Sequence, residues 1–376
     1  MSKMDKYEKE KIKRLLKWSK EIKQGPFKID IELHRRCNLN CLSCSRRADE
    51  KYEHINEFSK TIEMPLEKWL DIVKEASELG VKEWHIAGGG DPPFIPELLF
   101  PVMNLIKKYN MFGILTTNGT NLSSEHIKNL VEIGWDRIHF SVDGPNSEIH
   151  DYLRGVPGSF EKVISTIKLL KEFKGDKEKP VINMNTVLSI KNYDKLPDMV
   201  KLAKELGVEY MFVEPLIIYS EYGSKLKLKE EHRKEFSKYL KKAKALAKKY
   251  KIDSNFSSFD QNLNDELIEN SSSMDVVVKE DMQKYENDGF LSTPCYDPFF
   301  HMAIKADGRV TSCDIATGAA ENIRNKSLEE VWYGSYFESL RKDLFRKKIP
   351  QFCAQCNPSH TTQRRRLRND MVEIMK

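Results

Sequence analysis

No stretch of the 376-residue sequence approaches the roughly 18 consecutive apolar residues that a membrane-spanning helix requires. The opening Met1-Ser-Lys-Met-Asp-Lys6 runs into a charged helical pattern without the apolar core of a secretory signal. The expected setting is the cytoplasm, with no membrane partner. A large charge of one sign is missing too. The 62 basic and 57 acidic residues leave +5, too mild over this length to call for nucleic acid. The one concentrated basic run, Gln363-Arg-Arg-Arg-Leu-Arg368, reads as a solvated terminal tail. Cysteine is scarce, seven in all, and in a reducing compartment those seven serve metal or redox chemistry rather than disulfides.

What is present is concentrated. Cys37, Cys41 and Cys44 lie within eight residues, flanked by Arg35, Arg36, Arg46 and Arg47, just after the alternating segment Lys28-Ile-Asp-Ile-Glu-Leu33. Three thiolates hold three irons of a 4Fe-4S cubane and leave the fourth without a protein ligand, whereas a closed structural cluster takes four cysteines. An open metal site points to chemistry, as it does in zinc enzymes. A zinc knot and three buried core thiols are the competing readings of the same residues.

Residues 4–24 carry Ile12, Leu15, Leu16, Trp18 and Ile22 on one face and predict an amphipathic helix, stopped by Gly25-Pro26. Beyond the cysteines a unit recurs: a helix ending in Glu-Leu/Ile-Gly, then a short β-rich run. It occurs at Glu78-Leu-Gly80, Glu132-Ile-Gly134 and Glu205-Leu-Gly207. Glycine just past the last turn supplies the left-handed conformation that ends a helix, and the run after it fits a buried parallel strand. Strands are expected near 28–33, 83–87, 112–116, 137–142, 180–188 and 208–214, with helices at 65–79, 97–109, 123–133, 159–173 and 195–206. Such alternation requires right-handed crossovers and a parallel sheet. The fold class is therefore α/β, a partial (β/α)6 TIM-like barrel. Function in such a barrel gathers on the loops after the strands.

The motifs fall on those loops. Gly88-Gly-Gly90-Asp91-Pro92-Pro93 follows strand 2, and glycines let a backbone approach a ligand where any Cβ would clash. Strand 3 ends in Thr116-Thr-Asn118-Gly-Thr120, strand 4 in Ser141-Val-Asp143-Gly144 with Tyr152-Leu-Arg154-Gly155 behind it, and strand 6 in Glu214-Pro215-Leu216. Hydroxyls and carboxylates there can hold ribose, and an arginine fork can hold a carboxylate.

In its cysteine spacing and in the order of these motifs over residues 28–216, the chain resembles the radical S-adenosylmethionine (SAM) enzymes. The resemblance implies a 4Fe-4S cluster on Cys37, Cys41 and Cys44, S-adenosylmethionine on the fourth iron, and reductive cleavage to a 5'-deoxyadenosyl radical. It implies that the Gly88, Gly89, Gly90 and Asp91 backbone receives the methionine amino group, with Asp91 where that family has Glu. It further places Asn118, Ser141 and Asp143 among the cofactor-binding residues, the last two near the ribose. Arg154 goes near the methionine carboxylate and the Glu214-Pro215 backbone near the adenine. Ser43 stands where an aromatic residue is usual, so packing over the adenine must come from elsewhere.

Cys295, Cys313, Cys353 and Cys356 remain, the number that closes a cluster. Lys305-Ala-Asp-Gly308-Arg-Val-Thr-Ser-Cys313 reads as a hairpin between the first two. This segment resembles the twitch and SPASM auxiliary-cluster domains that follow the barrel in some radical SAM enzymes. Three cysteines of a full SPASM domain are missing, which implies one auxiliary 4Fe-4S cluster. Four thiolates also suit zinc. The expected organisation is an N-terminal helix (1–27), the barrel (28–224), a charged helical connector with an irregular insertion (225–290), a small α+β auxiliary-cluster domain (291–360) and the basic tail (361–376).

The function expected is that of a radical SAM oxidoreductase or modifying enzyme acting on a small polar molecule such as a sugar or aminocyclitol, with the auxiliary cluster either accepting an electron or clamping the C-terminal domain onto the barrel. An external electron donor such as flavodoxin or ferredoxin goes with it. The short N-terminal segment, without room for leader-peptide binding, tilts the reading away from peptide or protein side chains, which are the alternative substrate. A zinc or iron-sulfur binding module without turnover is the reading outside this class. No general acid or base is legible.

Overall fold

Three glycines that were expected to end helices, Gly80, Gly134 and Gly207, all sit in the left-handed region, with φ of 77°, 63° and 72°. Each lets the chain leave a helix and enter the next strand without a Cβ penalty. The computed structural model describes residues 6–47, 63–259, 289–313, 316, 320–356 and 358–375. After the N-terminal helix α1 (Lys6–Trp18) come β1 (Lys28–Ile31), α2 (Leu66–Glu78), β2 (Glu83–Ile86), α3 (Pro96–Lys108), β3 (Phe112–Thr117), α4 (Ser124–Glu132) and β4 (Arg137–Ser141). Then follow α5 (Ser147–Arg154), α6 (Ser159–Lys174), β5 (Val181–Leu188), α7 (Leu196–Leu206) and β6 (Tyr210–Pro215). Strands β1 to β6 are parallel and hydrogen-bonded in chain order, the partial barrel that was expected.

The sheet does not stop at six strands. β7 (Asp253–Ser254) extends it beside β6. On the other side β8 (His301–Ile304) lies parallel to β1, in register from Lys28 opposite His301 to Ile31 opposite Ile304. β9 (Arg309–Thr311) and β10 (Glu321–Asn322) continue it antiparallel. The hairpin expected around Asp307-Gly308 is thus the far end of the barrel's own sheet rather than a separate one. An open ten-stranded sheet results.

Only one face of the strands is packed shut. Ile29, Ile31, Trp84, Ile86, Leu115, Ile138, Phe140, Ile182, Met184, Met211 and Val213 are buried against the helices, each contributing about 1.5–3 kcal/mol. The alternate residues face the barrel interior and are mostly polar, half-buried in β2, β4 and β6 and buried at Asp30 and Asn183. The expectation of strands buried on both faces is corrected for β2, β4 and β6.

Three other expectations change. Helix α1 ends at Trp18 rather than residue 24, because Glu21 turns left-handed with φ 58° and brings Phe27 to Phe300, leaving Ile22 exposed. The charged stretch expected as a connector is α8 (Glu230–Tyr250), which buries Phe236, Leu240, Ala243 and Ala247 and packs on α7 as the barrel's sixth covering helix. The basic tail is α11 (Pro358–Met375), packed against α1. Before it come α9 (Leu328–Trp332) and α10 (Ser335–Phe345). Of the irregular insertion, residues 260–288 lie outside the described residues. No helix among the described residues is long and apolar enough to cross a membrane.

Candidate active site

The cysteine loop rests on glycines. Gly90 N donates to His34 O and Asp91 N to Arg36 O, both at 2.9 Å. From the other side Asn40 N donates to Arg154 O at 3.1 Å and Leu42 N to Leu153 O at 3.0 Å. A Cβ on Gly90 would lie 1.9 Å from Arg36 O, one on Gly89 2.6 Å from His34 O, and one on Gly155 2.2 Å from Asn40 O. The glycine triplet was expected to make room for a ligand. In the structure Gly89 and Gly90 make room for the loop that carries Cys37, Cys41 and Cys44, while Gly88 faces the Glu32 side chain.

Polar side chains lock the loop further. Asp91 Oδ1 accepts from Thr117 Oγ1 and Asn118 N, both at 2.8 Å, tying the loop after β2 to the loop after β3. Asn118 Nδ2 in turn donates to Asn38 Oδ1 at 3.0 Å and lies 3.8 Å from Cys37 Sγ. Burial pushes the Asp91 carboxyl up to about 6 against these hydrogen bonds, and its Oδ2 has no partner. Arg154 Nη2 pairs with Asp143 Oδ2 at 2.8 Å, and Nη1 lies 3.8 Å from Cys41 Sγ. Burial alone would lower the Arg154 pKa, but Asp143 and the Cys41 sulfur raise it and keep the guanidinium charged. Burial raises Cys41 and Asp143 despite that cation.

Gly88 to Gly90, Asp91, Asn118, Asp143 and Arg154 are therefore gathered about the three thiols. Ser141 closes β4 opposite Asn185, and Glu214 and Pro215 close β6 opposite Val187 and Leu188, all at the strands' C-terminal ends. Asp143 and Arg154, expected at ribose and carboxylate respectively, are paired with each other. Three thiols on a loop cradled by glycine, with a guanidinium beside one sulfur, fit a cubane whose fourth iron is open.

Sequence reasoning missed a polar cluster inside the barrel. Asp30 Oδ2 lies 3.0 Å from His301 Nε2 and Asp30 Oδ1 3.0 Å from Lys28 Nζ. His85 Nε2 lies 2.8 Å from Thr116 Oγ1, and the His85 and His139 rings are 5.9 Å apart. Lys305 Nζ, from just beyond β8, reaches Glu32 at 2.6 Å. Burial would raise Asp30, yet Lys28 and His301 hold it well below the usual carboxylate range. Burial, with His85 and Arg137 nearby, holds His139 well below the ordinary imidazole value, hence neutral. His139 Nε2, Asn183 Oδ1 and Asn185 Oδ1 are buried with no hydrogen-bond partner. The signal was available: Lys28-Ile-Asp30, Glu83-Trp-His85, Arg137-Ile-His139 and Asn183-Met-Asn185 alternate polar with apolar, which a strand buried on both faces does not do.

The second set of cysteines also assembles. Cys295, Cys313, Cys353 and Cys356 line one cavity, together with Pro298, Leu340, Leu344, Phe352, Asp297 and Arg364. Burial raises the Cys353 thiol to about 12 and Cys295 well above its usual value, with Arg364 opposing both. Arg364 Nη1 donates to Cys356 Sγ at 3.1 Å and Nη2 lies 3.2 Å from Asp297 Oδ2. One turn on, Arg368 donates to Leu291 O at 2.8 Å and Thr293 O at 3.0 Å. The expected solvated tail is thus corrected. Two of its arginines face inward at i and i+4, and only part of the run, such as Arg366, stays exposed. Among the described residues no three Cys, His, Asp or Glu side chains converge on one ion. Four thiols round one cavity supply the donor set of a closed four-iron cluster.

An open barrel with three thiols on the loop after its first strand and four more round one cavity fits an iron-sulfur protein of the SAM-radical class. The family model of the radical SAM superfamily matches residues 31–203, and that of an iron-sulfur cluster-binding domain, SPASM, matches residues 295–357. Residues 31–203 thus carry a radical SAM domain, and residues 295–357 a SPASM-type iron-sulfur domain on its C-terminal side. It is 31% identical over 183 residues to the AdoMet-dependent heme synthase of Methanosarcina barkeri, a match covering 49% of this chain and 48% of that one. It is 28% identical over 184 residues to the PqqA peptide cyclase of Granulibacter bethesdensis, covering 49% and 46%. The chain thus spans about half the length of these curated relatives. In fold it is similar to Streptococcus suis SuiB bound to S-adenosylmethionine, with a TM-score of 0.63, 17% identity, and coverage of 92% of this chain and 75% of that one.

Proposed function

We propose that this protein is a radical SAM oxidoreductase whose substrate is a small polar molecule held inside the barrel. The observation that carries the first half is the seating of the cysteine loop on Gly89, Gly90 and Gly155, which brings Cys37, Cys41 and Cys44 to the barrel mouth. Those three cysteines would hold the open cluster, and Cys295, Cys313, Cys353 and Cys356 a single closed one. When bound and reduced by an external donor, the first cluster and S-adenosylmethionine supply a 5'-deoxyadenosyl radical that removes one substrate hydrogen, and the second cluster supplies an electron acceptor.

The chain's own part is to bind and orient the substrate. His139 Nε2, Asn183 Oδ1 and Asn185 Oδ1 offer buried acceptors without donors, while Asp30 and Glu32 are already paired with Lys28 and Lys305. Hydroxyl and ammonium groups of an amino sugar or aminocyclitol satisfy such acceptors, and a buried acceptor left unpaired costs about 1–3 kcal/mol. This supports a substrate with several donors. His139, held neutral by burial with His85 and Arg137 nearby, is suited to hydrogen-bond an uncharged donor of the substrate rather than to carry a proton.

The second reading is side-chain modification of a peptide, favoured by the resemblance to the PqqA peptide cyclase. Anaerobic reconstitution decides. Dithionite-dependent 5'-deoxyadenosine, accelerated by amino polyols and absent in Cys37→Ala, is the expected result. With deuterated amino polyols, label in 5'-deoxyadenosine identifies the substrate class. Acceleration by peptides alone would transfer the reading to the peptide class, and no 5'-deoxyadenosine at all would sink both.

A further inference from the structure

We propose that the ion pair between Arg364 and Asp297 sets the reduction potential of the auxiliary cluster, with Arg364 raising it and Asp297 lowering it. The inference rests on the reading of Cys295, Cys313, Cys353 and Cys356 as ligands of that cluster, and goes beyond it to two residues that are not ligands. Arg364 donates through Nη1 to Cys356 Sγ at 3.1 Å and through Nη2 to Asp297 Oδ2 at 3.2 Å, so one guanidinium bridges a ligand sulfur and a carboxylate. Both side chains line the cavity of the four thiols, whose other walls are largely apolar: Pro298, Leu340, Leu344 and Phe352. Arg364 is 8% exposed and its side chain in the ion pair 9%. Its charge therefore acts on the cavity through little water and is only weakly screened by salt. The Asp297 backbone N–H also donates to the Cys295 sulfur.

Helix α11 makes this placement firm. Arg368, four residues on, is fixed by the carbonyls of Leu291 and Thr293 and lies over the Tyr296 ring at 5.5 Å. Leu367 and Met371 are buried alongside. The helix that carries Arg364 is thus anchored independently of the sulfur it touches.

Four thiolates and their irons become more negative by one charge when the cluster accepts an electron. A cation at a ligand sulfur favours the reduced form, and hydrogen bonds to sulfur act in the same direction. Arg364 accordingly prepares the auxiliary site to receive an electron, and Asp297 limits how strongly. The two residues have opposite charge and touch the same site, so their removal moves the potential in opposite directions. A merely structural latch has no such sign.

The test is a dithionite redox titration of the anaerobically reconstituted full chain, followed by electron paramagnetic resonance of the reduced auxiliary cluster, in a Cys37→Ala, Cys41→Ala, Cys44→Ala background that isolates it. Arg364→Gln is expected to lower the equilibrium constant for reduction at least tenfold, which is about 59 mV for one electron. Asp297→Asn, which keeps the backbone N–H, is expected to raise it, and Arg364→Lys to fall between Arg364→Gln and the parent. Unchanged potentials, or shifts of one sign in both variants, overturn the proposal. Should Arg364→Gln lose its cluster, Asp297→Asn decides alone by the sign of its shift. A parent protein holding zinc, or no reducible cluster, overturns the reading of the four cysteines and the proposal with it. Iron content distinguishes that result from a cluster whose potential does not respond.

Discussion

Replacing Gly90 by alanine tests the seat of the cysteine loop most directly. Its φ is not in the left-handed region, so alanine meets no intrinsic backbone penalty there, and the effect isolates contact. The new Cβ would start 1.9 Å from Arg36 O and 2.6 Å from both Arg36 C and Arg36 N, where real Cβ atoms essentially never come under 3.0 Å. The loop must therefore part from the loop after β2 by about 1.1 Å at its closest atom. All of those atoms are backbone, so no side chain can swing away. Cys37 follows Arg36 directly, and a misplacement of about 1 Å in a catalytic constellation costs on the order of 10²-fold in rate. Gly90→Ala is expected to form 5'-deoxyadenosine about 10²-fold more slowly per cluster under saturating dithionite. Gly134→Ala is the control. Its Cβ meets nothing within 4 Å but its left-handed φ makes it lose about 1–2 kcal/mol of stability, so it should retain the rate. If Gly90→Ala turns over as fast as the parent with equal iron bound, the contact does not position the cluster loop and the argument built on it is wrong.

Cys353→Ala should lower bound iron by about half while 5'-deoxyadenosine formation persists and oxidised product is lost; unchanged product would remove the auxiliary cluster from the oxidation. Arg154→Met leaves Asp143 buried without its 2.8 Å partner and should cost about 3–5 kcal/mol in denaturant unfolding; a loss below about 1 kcal/mol would show that the pair is replaceable. The Asp91 carboxyl, raised by burial to about 6, binds its proton more tightly in the folded state than unfolded. Its contribution is therefore fully present below the unfolded value near pH 4 and is lost as pH rises to about 6, on the order of 3 kcal/mol. Asp91→Asn should flatten stability between those pH values, and an unchanged slope would assign it to another group. His139→Leu removes one of the buried unpartnered polar atoms and should keep reductant-dependent 5'-deoxyadenosine formation while raising the KM for the amino polyol about tenfold; an unchanged KM would remove His139 from the substrate site.

The barrel was legible because its signals are local. Gly80, Gly134 and Gly207 end their helices by their own backbone preference, and α2, α3, α4, α6 and α7 fall within one residue of their expected bounds. The thiol loop was legible because three cysteines in eight residues state their chemistry by spacing. What failed depended on partners distant in the chain. Nothing in the run from Gln363 to Arg368 distinguishes a solvated arginine from one that meets Cys356 and Asp297. Arg364 and Arg368 are separated from the exposed Arg366 only by which side of a helix finds the auxiliary cavity. The glycine triplet was read for its close approach but without two of its neighbours, the His34 and Arg36 carbonyls, because a missing Cβ shows that something comes close without showing what. The polar interior was visible as alternation in four strands, but which of those side chains meet across the barrel depends on strand register and not on any one run.

The pairing of β8 with β1 has a consequence for synthesis. Glu32 and Lys305, which meet across that seam, are 273 residues apart in the chain. At about 5–20 residues per second, the nascent first strand waits on the order of 14–55 s with one edge bare before its neighbour emerges from the ribosome. An unpaired edge is a template for illicit pairing. A nascent-chain pulse experiment should therefore find this protein held by chaperones until β8 has been made, and iron delivered to the first thiols before then would enter a wall still lacking its final stave.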